Sequence, residues 1–228
     1  MTPTDPAEER SHVVGRCQTV RGELVLRRCG GHHELISDGM FVMDTRDGCS
    51  ERALLECALA VAAPRPHAVI GGLGFGFSLE AAVASTAPAS ITVVEIHQQI
   101  IEWNRVHLPE RTSRTMADPR VRVVCADIAD WLDRSATLLD VICLDIDNGP
   151  GWLMLPTNEA IYRDARLARI ARRLGESGVL AVWSSDRSRT FEAALRRSFA
   201  EVATHEIPVV RGAPDIVYVA RRPRAGCP

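Results

Sequence analysis

The stretch VIGGLGFGFSLEAA, residues 69–82, decides the fold. An apolar, strand-like run over His67–Ile70 leads into it. An apolar helical pattern from about Phe77 to Thr86 leaves it. Between the two, Gly72, Gly74 and Gly76 alternate with bulky residues. Glycines at such a junction permit a tight strand-to-helix turn and let backbone N–H groups approach a ligand. The triplet alone is a weak signal. As the first turn of a repeating strand–helix series it carries weight.

The series continues downstream. Ile91–Glu95, Val121–Ala126, Asp140–Asp145 and Val179–Trp183 read as strands. Helices are predicted over 97–108, Ile128–Leu132 and Thr157–Leu174. A last helix follows Ser188, its cap, with Phe191, Ala194, Leu195, Ser198 and Phe199 on one stripe. Alternation of this kind builds a parallel sheet with right-handed crossovers. Two final strands, Val202–Ile207 and Asp215–Ala220, are separated by too few residues for a crossover, so they pair antiparallel. The expected fold is α/β: a class I methyltransferase-like Rossmann fold with a mostly parallel seven-stranded sheet and one late antiparallel strand.

Upstream, residues 1–15 read as a loose tail. ELVLRR, HHELIS and MFVMD, between Glu23 and Asp44, read as a small antiparallel β-meander. Ser50–Ala63 reads as a helix closed by Pro64 and Pro66. The expected organisation is a tail and meander over 1–47 and a Rossmann-like, S-adenosylmethionine-binding catalytic domain over 48–228.

Composition narrows the chemistry. All 27 basic residues counted as Lys or Arg are arginines. The absence of lysine excludes Schiff-base chemistry, a conventional pyridoxal-phosphate enzyme and a P-loop. The net charge of −2 and the lack of a basic stripe with interleaved aromatics argue against a nucleic-acid partner. Arg163, Arg166, Arg169, Arg172 and Arg173 read as a solvated helical face. Seven cysteines without a CxxC pair suggest neither a disulfide framework nor a metal site, and Cys125 and Cys143 read as buried small hydrophobes. No 18-residue apolar run suggests a membrane span. A cytoplasmic setting is expected.

Candidate site residues cluster where ligands bind in such sheets, at the carboxyl ends of the strands. Glu95 ends the second strand of the series, about 20 residues past the glycines, and suits the paired hydroxyls of a ribose. Asp127 follows the third and suits an exocyclic amine of adenine, with Ile96 and Ile128 placed to sandwich the base. LDIDNGPGW, residues 144–152, follows the fourth. Its Asp145, Asp147 and Asn148 are the candidate catalytic and orienting groups for an amine acceptor. Trp152 and Trp183 are candidate pocket walls, Tyr162 and His97 weaker ones.

Together DGMFVMDTRDG, GGLGFG, VVEIHQQIIEWNR, DPRVRVVCADIADWL and LDVICLDIDNGP resemble the spermidine synthase family of polyamine aminopropyltransferases. The resemblance spans roughly residues 22–220. It implies a β-meander on a class I methyltransferase-like domain and a homodimer. The implied cofactor is S-adenosylmethionine or its decarboxylated form.

The departures shape the functional expectation. Laid on the family pattern without gaps, a conserved Gln falls on Val42 and a Thr on Asp44. The Asp is kept as Asp47, the Tyr falls on Glu51, and the His/Gln on Arg52. The family aspartate that meets the aminopropyl ammonium falls on Gly74. The second Asp of D-x-x-D-P becomes Asn148, while the first is kept as Asp145. With Arg52 and Asp47 as substrate-binding candidates and Arg52 poised to meet a carboxylate, the expected function is transfer from intact S-adenosylmethionine to a small-molecule acceptor, methyl transfer first. The alternatives are aminopropyl transfer from the decarboxylated form, aminocarboxypropyl transfer or cyclisation of the cofactor side chain, and a non-catalytic nucleoside-binding protein.

Overall fold

A computed structural model describes residues 11–146, 148–151, 153, 156–210 and 212–224. Seven strands form the central sheet: β5 (His67–Gly71), β6 (Ser90–Glu95), β7 (Val121–Cys125), β8 (Leu139–Leu144), β9 (Leu174–Ser184), β10 (Phe199–Ile207) and β11 (Asp215–Pro223). Their spatial order is β10-β11-β9-β8-β5-β6-β7. Strands β9, β8, β5, β6 and β7 pair in parallel. Strand β11 runs antiparallel to both its neighbours. The expected sheet is therefore present, late antiparallel strand included.

The central strands read as unbroken apolar runs because both faces of the sheet are covered. Side chains alternate along each strand. Ala68 and Ile70 of β5, Val141 and Cys143 of β8 and Val179 and Ala181 of β9 enter one core layer. Val69, Ile142, Leu144, Leu180 and Val182 enter the other. Helices α1 (Cys49–Leu59), α2 (Phe77–Ala84), α3 (Gln98–Val106) and the short α4 (Pro109–Met116) accompany the first layer. Helices α5 (Ile128–Arg134), α6 (Asp164–Arg173) and α7 (Arg189–Ser198) accompany the second. Leu54 and Leu55 of α1 are fully buried, each contributing about 1.5–3 kcal/mol of burial free energy.

A second sheet holds β1 (Ser11–Thr19), β2 (Gly22–Cys29), β3 (His32–Ser37) and β4 (Met40–Asp44) as a four-stranded meander. Its Leu24, Leu26 and Leu35 join the first core layer.

Three sequence expectations need correction, and one helix was not expected at all. Residues 11–15 belong to β1 rather than to a tail. β1 is polar and largely exposed, so it lacks the apolar alternation that would reveal it, and its Gly15 lies flat against the Trp103 indole. The helix expected over Thr157–Leu174 is a 3-10 turn over Pro156–Tyr162 followed by α6, and Leu174 already starts β9. Helix α4 has only Thr112 and Thr115 buried, so no apolar periodicity announces it. Cys125 is exposed, because β7 is the sheet edge; Cys143, on central β8, is buried as expected. Among the described residues no helix is long and apolar enough to cross a membrane.

Candidate functional site

The chain order of the sheet reverses between β5 and β8: the chain builds outward through β6 and β7, then returns to place β8 on the other side of β5. Such a switch point opens a crevice beyond the strand ends. Here the opening is held by direct backbone contact. The Asp145 N–H donates to the Gly71 carbonyl at 2.9 Å. A Cβ on Gly72, at φ +93°, would lie 2.0 Å from the Asp145 carbonyl oxygen, so only glycine fits. A cavity of about 360 Å³ lies there. The strand ends form its floor, and Phe41, Val42 and Met43 of the meander contribute to its wall.

On one side sits the group of residues expected to hold a nucleoside. Glu95 is 4% exposed and lines the cavity. One carboxylate oxygen accepts from the Leu73 N–H of the glycine turn and the other from the His97 N–H, each at 2.8 Å. Burial pushes its pKa up, while these backbone donors oppose the rise. A carboxylate has lone pairs for further donors. Asp127 caps α5 through one oxygen, which accepts from the Ala129 N–H at 2.8 Å. Its second oxygen has no partner among the described residues. Ile96, Ile128, Gly72 and Gly74 line the same space, whereas Gly76 lies just outside it as the cap of α2.

On the other side carboxylates converge. Asp145, Glu51 and Asp215 line the cavity. The Ser78 hydroxyl lies 3.3 Å from Asp145 Oδ2, and Ser50 donates to Glu51 Oε2 at 3.2 Å. Burial, and next the Glu51 charge, push Asp145 up to about 8. Glu51 and Asp215 are raised as well, burial being the larger cause in each. Asp47 lines the cavity too, with one oxygen accepting from the Cys49 N–H at 2.9 Å. Asn148 is a lining residue. Asp147 and Trp152 lie outside the described residues.

Arg52 is not where the sequence expectation placed it. It does not line the cavity. Its guanidinium pairs with Glu80 at 2.9 Å and stacks 4.7 Å from the Phe77 ring, whose centroid also lies 3.8 Å from the Arg111 guanidinium. Tyr162 is likewise a core residue, packed edge-on against Phe191. Trp183 and His97 do line the cavity. Seven carboxylate residues and no arginine appear among the described lining residues. Among the described residues Asp44 alone of the seven forms an ion pair, with Arg46.

Sequence reasoning missed Glu51 and Asp215 as site residues. Glu51 shares the helical stripe of Leu55 and Ala58, so an acid on a core-facing stripe was the available signal. Asp215 reads only as a strand start. A further cluster, Cys29, His32 and Glu34, brings ligand-type atoms within 4.8 Å of one another on β2 and β3. Arg27 Nε already donates to Glu34 at 2.8 Å, which satisfies that carboxylate without an ion.

Over its whole length the chain is 24% identical to a polyamine aminopropyltransferase of Synechococcus sp. (strain JA-3-3Ab), of which it covers 77%. It is 28% identical over 146 residues to polyamine aminopropyltransferase 2 of Pseudomonas aeruginosa, covering 61% of this chain and 40% of that relative. A spermidine synthase crystallised with the transition-state analogue AdoDATO superposes with a TM-score of 0.77 at 17% identity, over 92% of this chain and 73% of that one. The Thermotoga maritima spermidine synthase gives 0.76 over 92% and 72%. At that identity the superpositions establish the fold. Residues 52–201 match the spermine/spermidine synthase domain, and the chain is a divergent member of that family.

Proposed function

We propose that the protein is an aminopropyltransferase that takes decarboxylated S-adenosylmethionine as donor and a small amine as acceptor. One observation carries this reading over methyl transfer from the intact cofactor: the described residues that line the cavity include seven carboxylates and no arginine. Intact S-adenosylmethionine brings a carboxylate, and a desolvated carboxylate without a cationic partner is costly. Arg52, the expected partner, is engaged with Glu80 outside the cavity. The same fact weakens aminocarboxypropyl transfer, which retains that carboxylate. Family membership and the polyamine aminopropyltransferase relatives favour the same reading.

The residues divide the work. Glu95 accepts from ribose hydroxyls and Asp127 from the base amine, with Ile96 and Ile128 as apolar walls. Bound there, the sulfonium nucleoside would supply an electrophilic carbon next to a good thioether leaving group. Asp145 anchors the acceptor nitrogen and receives its proton. A carboxyl near 8 holds a proton at the working pH far better than one near 3.8, which suits a general base. Asn148 and Asp47 orient the acceptor, and the cavity walls hold donor and nucleophile in line.

Incubation with decarboxylated S-adenosylmethionine and a panel of diamines tests the reading. Release of methylthioadenosine with an acceptor heavier by one aminopropyl group is expected. Turnover of intact S-adenosylmethionine to S-adenosylhomocysteine instead would overturn it.

A further inference from the structure

We infer that Glu51 is the ammonium-binding residue for the transferred aminopropyl group, in place of the carboxylate that position 74 lacks; this rests on the functional reading above. At position 74 the space is already filled. A Cβ there would lie 2.7 Å from the Met43 sulfur, so the thioether stands where a side chain would leave the backbone. A thioether is a weak acceptor and carries no charge to meet an ammonium. A cationic group entering this end of the cavity therefore needs its carboxylate from another wall.

Glu51 supplies it. It is on the first turn of α1, lines the cavity, and its charge is the largest electrostatic influence on Asp145. Among the described residues no arginine pairs with it, and its one side-chain donor is the neutral Ser50 hydroxyl. The helix position that carries it corresponds to a tyrosine in the family pattern. A negative charge has thus been lost on the glycine turn and gained on α1, leaving the number of acidic groups at the two positions unchanged. Burial of Glu51 beside Asp145 and Asp215 is unfavourable until a cation arrives, which makes the group selective for a charged amine over a neutral chain.

Calorimetric titration of decarboxylated S-adenosylmethionine and of methylthioadenosine, which lacks the aminopropyl group, tests the assignment. For Glu51→Gln the expected result is a loss of about tenfold or more in affinity for the first and no more than about a twofold change for the second. Glu51→Asp should retain most of the affinity, since it keeps the charge. Unchanged binding of both ligands by Glu51→Gln, with the wild type binding both, would overturn this assignment and leave the functional reading standing. Equal losses for both ligands would also overturn it, as a structural effect. Wild-type protein that binds methylthioadenosine but not the decarboxylated donor would overturn the functional reading and this assignment together.

Discussion

Gly74 and Met43 are packed so closely that a Cβ on residue 74 would lie 2.7 Å from the Met43 sulfur. The meander and the glycine turn therefore meet at the cavity, and the meander forms part of its wall. The glycines of the turn differ in what they tolerate. The obstacle at Gly74 is the end of a flexible side chain, whereas at Gly72 it is the Asp145 backbone carbonyl. Gly74→Ala should cost about 1–2 kcal/mol through its positive φ and a shift of Met43. Gly72→Ala should cost more, with no flexible neighbour to yield. Gly31→Ala, which meets nothing within 4 Å, serves as the control. Denaturant unfolding of the three variants checks the order; equal losses at 72 and 74 would contradict it.

One Asp127 oxygen caps α5, and the proposed site leaves the other for the base amine. Asp127→Ala should lose about 1 kcal/mol of stability with the helix cap. Asp127→Asn should keep the cap, since its carbonyl oxygen can accept from the Ala129 N–H. It then turns an amide NH₂ toward the base amine, so methylthioadenosine affinity should fall while stability holds. Unfolding curves and calorimetry on the same pair separate the roles. An Asn variant with unaltered affinity would leave Asp127 as a cap alone.

The pH dependence follows from Asp145. Its folded-state pKa near 8 is above its ordinary value of 3.8, so the folded chain keeps a proton that the unfolded chain releases. This group's contribution to stability is therefore greatest below about pH 4 and declines as pH rises toward about 8. A cationic ligand reverses the sign, because it favours the carboxylate: affinity should rise over the same window, with protons released on binding. Calorimetry in two buffers of different ionisation enthalpy detects that release. Binding without proton release would show that the ligand's charge does not meet this carboxylate.

Arg52 should matter little to ligand binding. Arg52→Ala removes a partly exposed pair with Glu80 and a stack on Phe77, together about 1 kcal/mol of stability. Donor affinity should stay within about twofold of wild type. A tenfold loss would return Arg52 to the cavity.

The legible part of this protein was the part written in regular patterns. Unbroken apolar strands, the glycine turn and strand-end acids placed β5 to β8, Glu95, Asp127 and Asp145 in the right layer and at the right end. β1 and α4 were hidden because their polar residues carry no periodicity, and what holds α4 is local: the Thr112 hydroxyl donates to the Asn104 carbonyl at 2.6 Å. Neighbouring residues of α1 misled most. Glu51 and Arg52 are adjacent in sequence, but a helix turns about 100° between them. That rotation sends the acid into the cavity and the guanidinium to Glu80, and only the packing of α1 against α2 fixes which goes where.

A cavity with this charge should take a decarboxylated donor and reject the carboxylated form. The most direct measurement is the ratio of dissociation constants for intact and decarboxylated S-adenosylmethionine with the wild-type chain, by calorimetry at neutral pH. Decarboxylated donor binding tighter by about tenfold or more, or about 1.4 kcal/mol, is the predicted result. Equal or tighter binding of intact S-adenosylmethionine would mean that the cavity accepts the carboxylated cofactor and that the aminopropyl-donor reading is wrong.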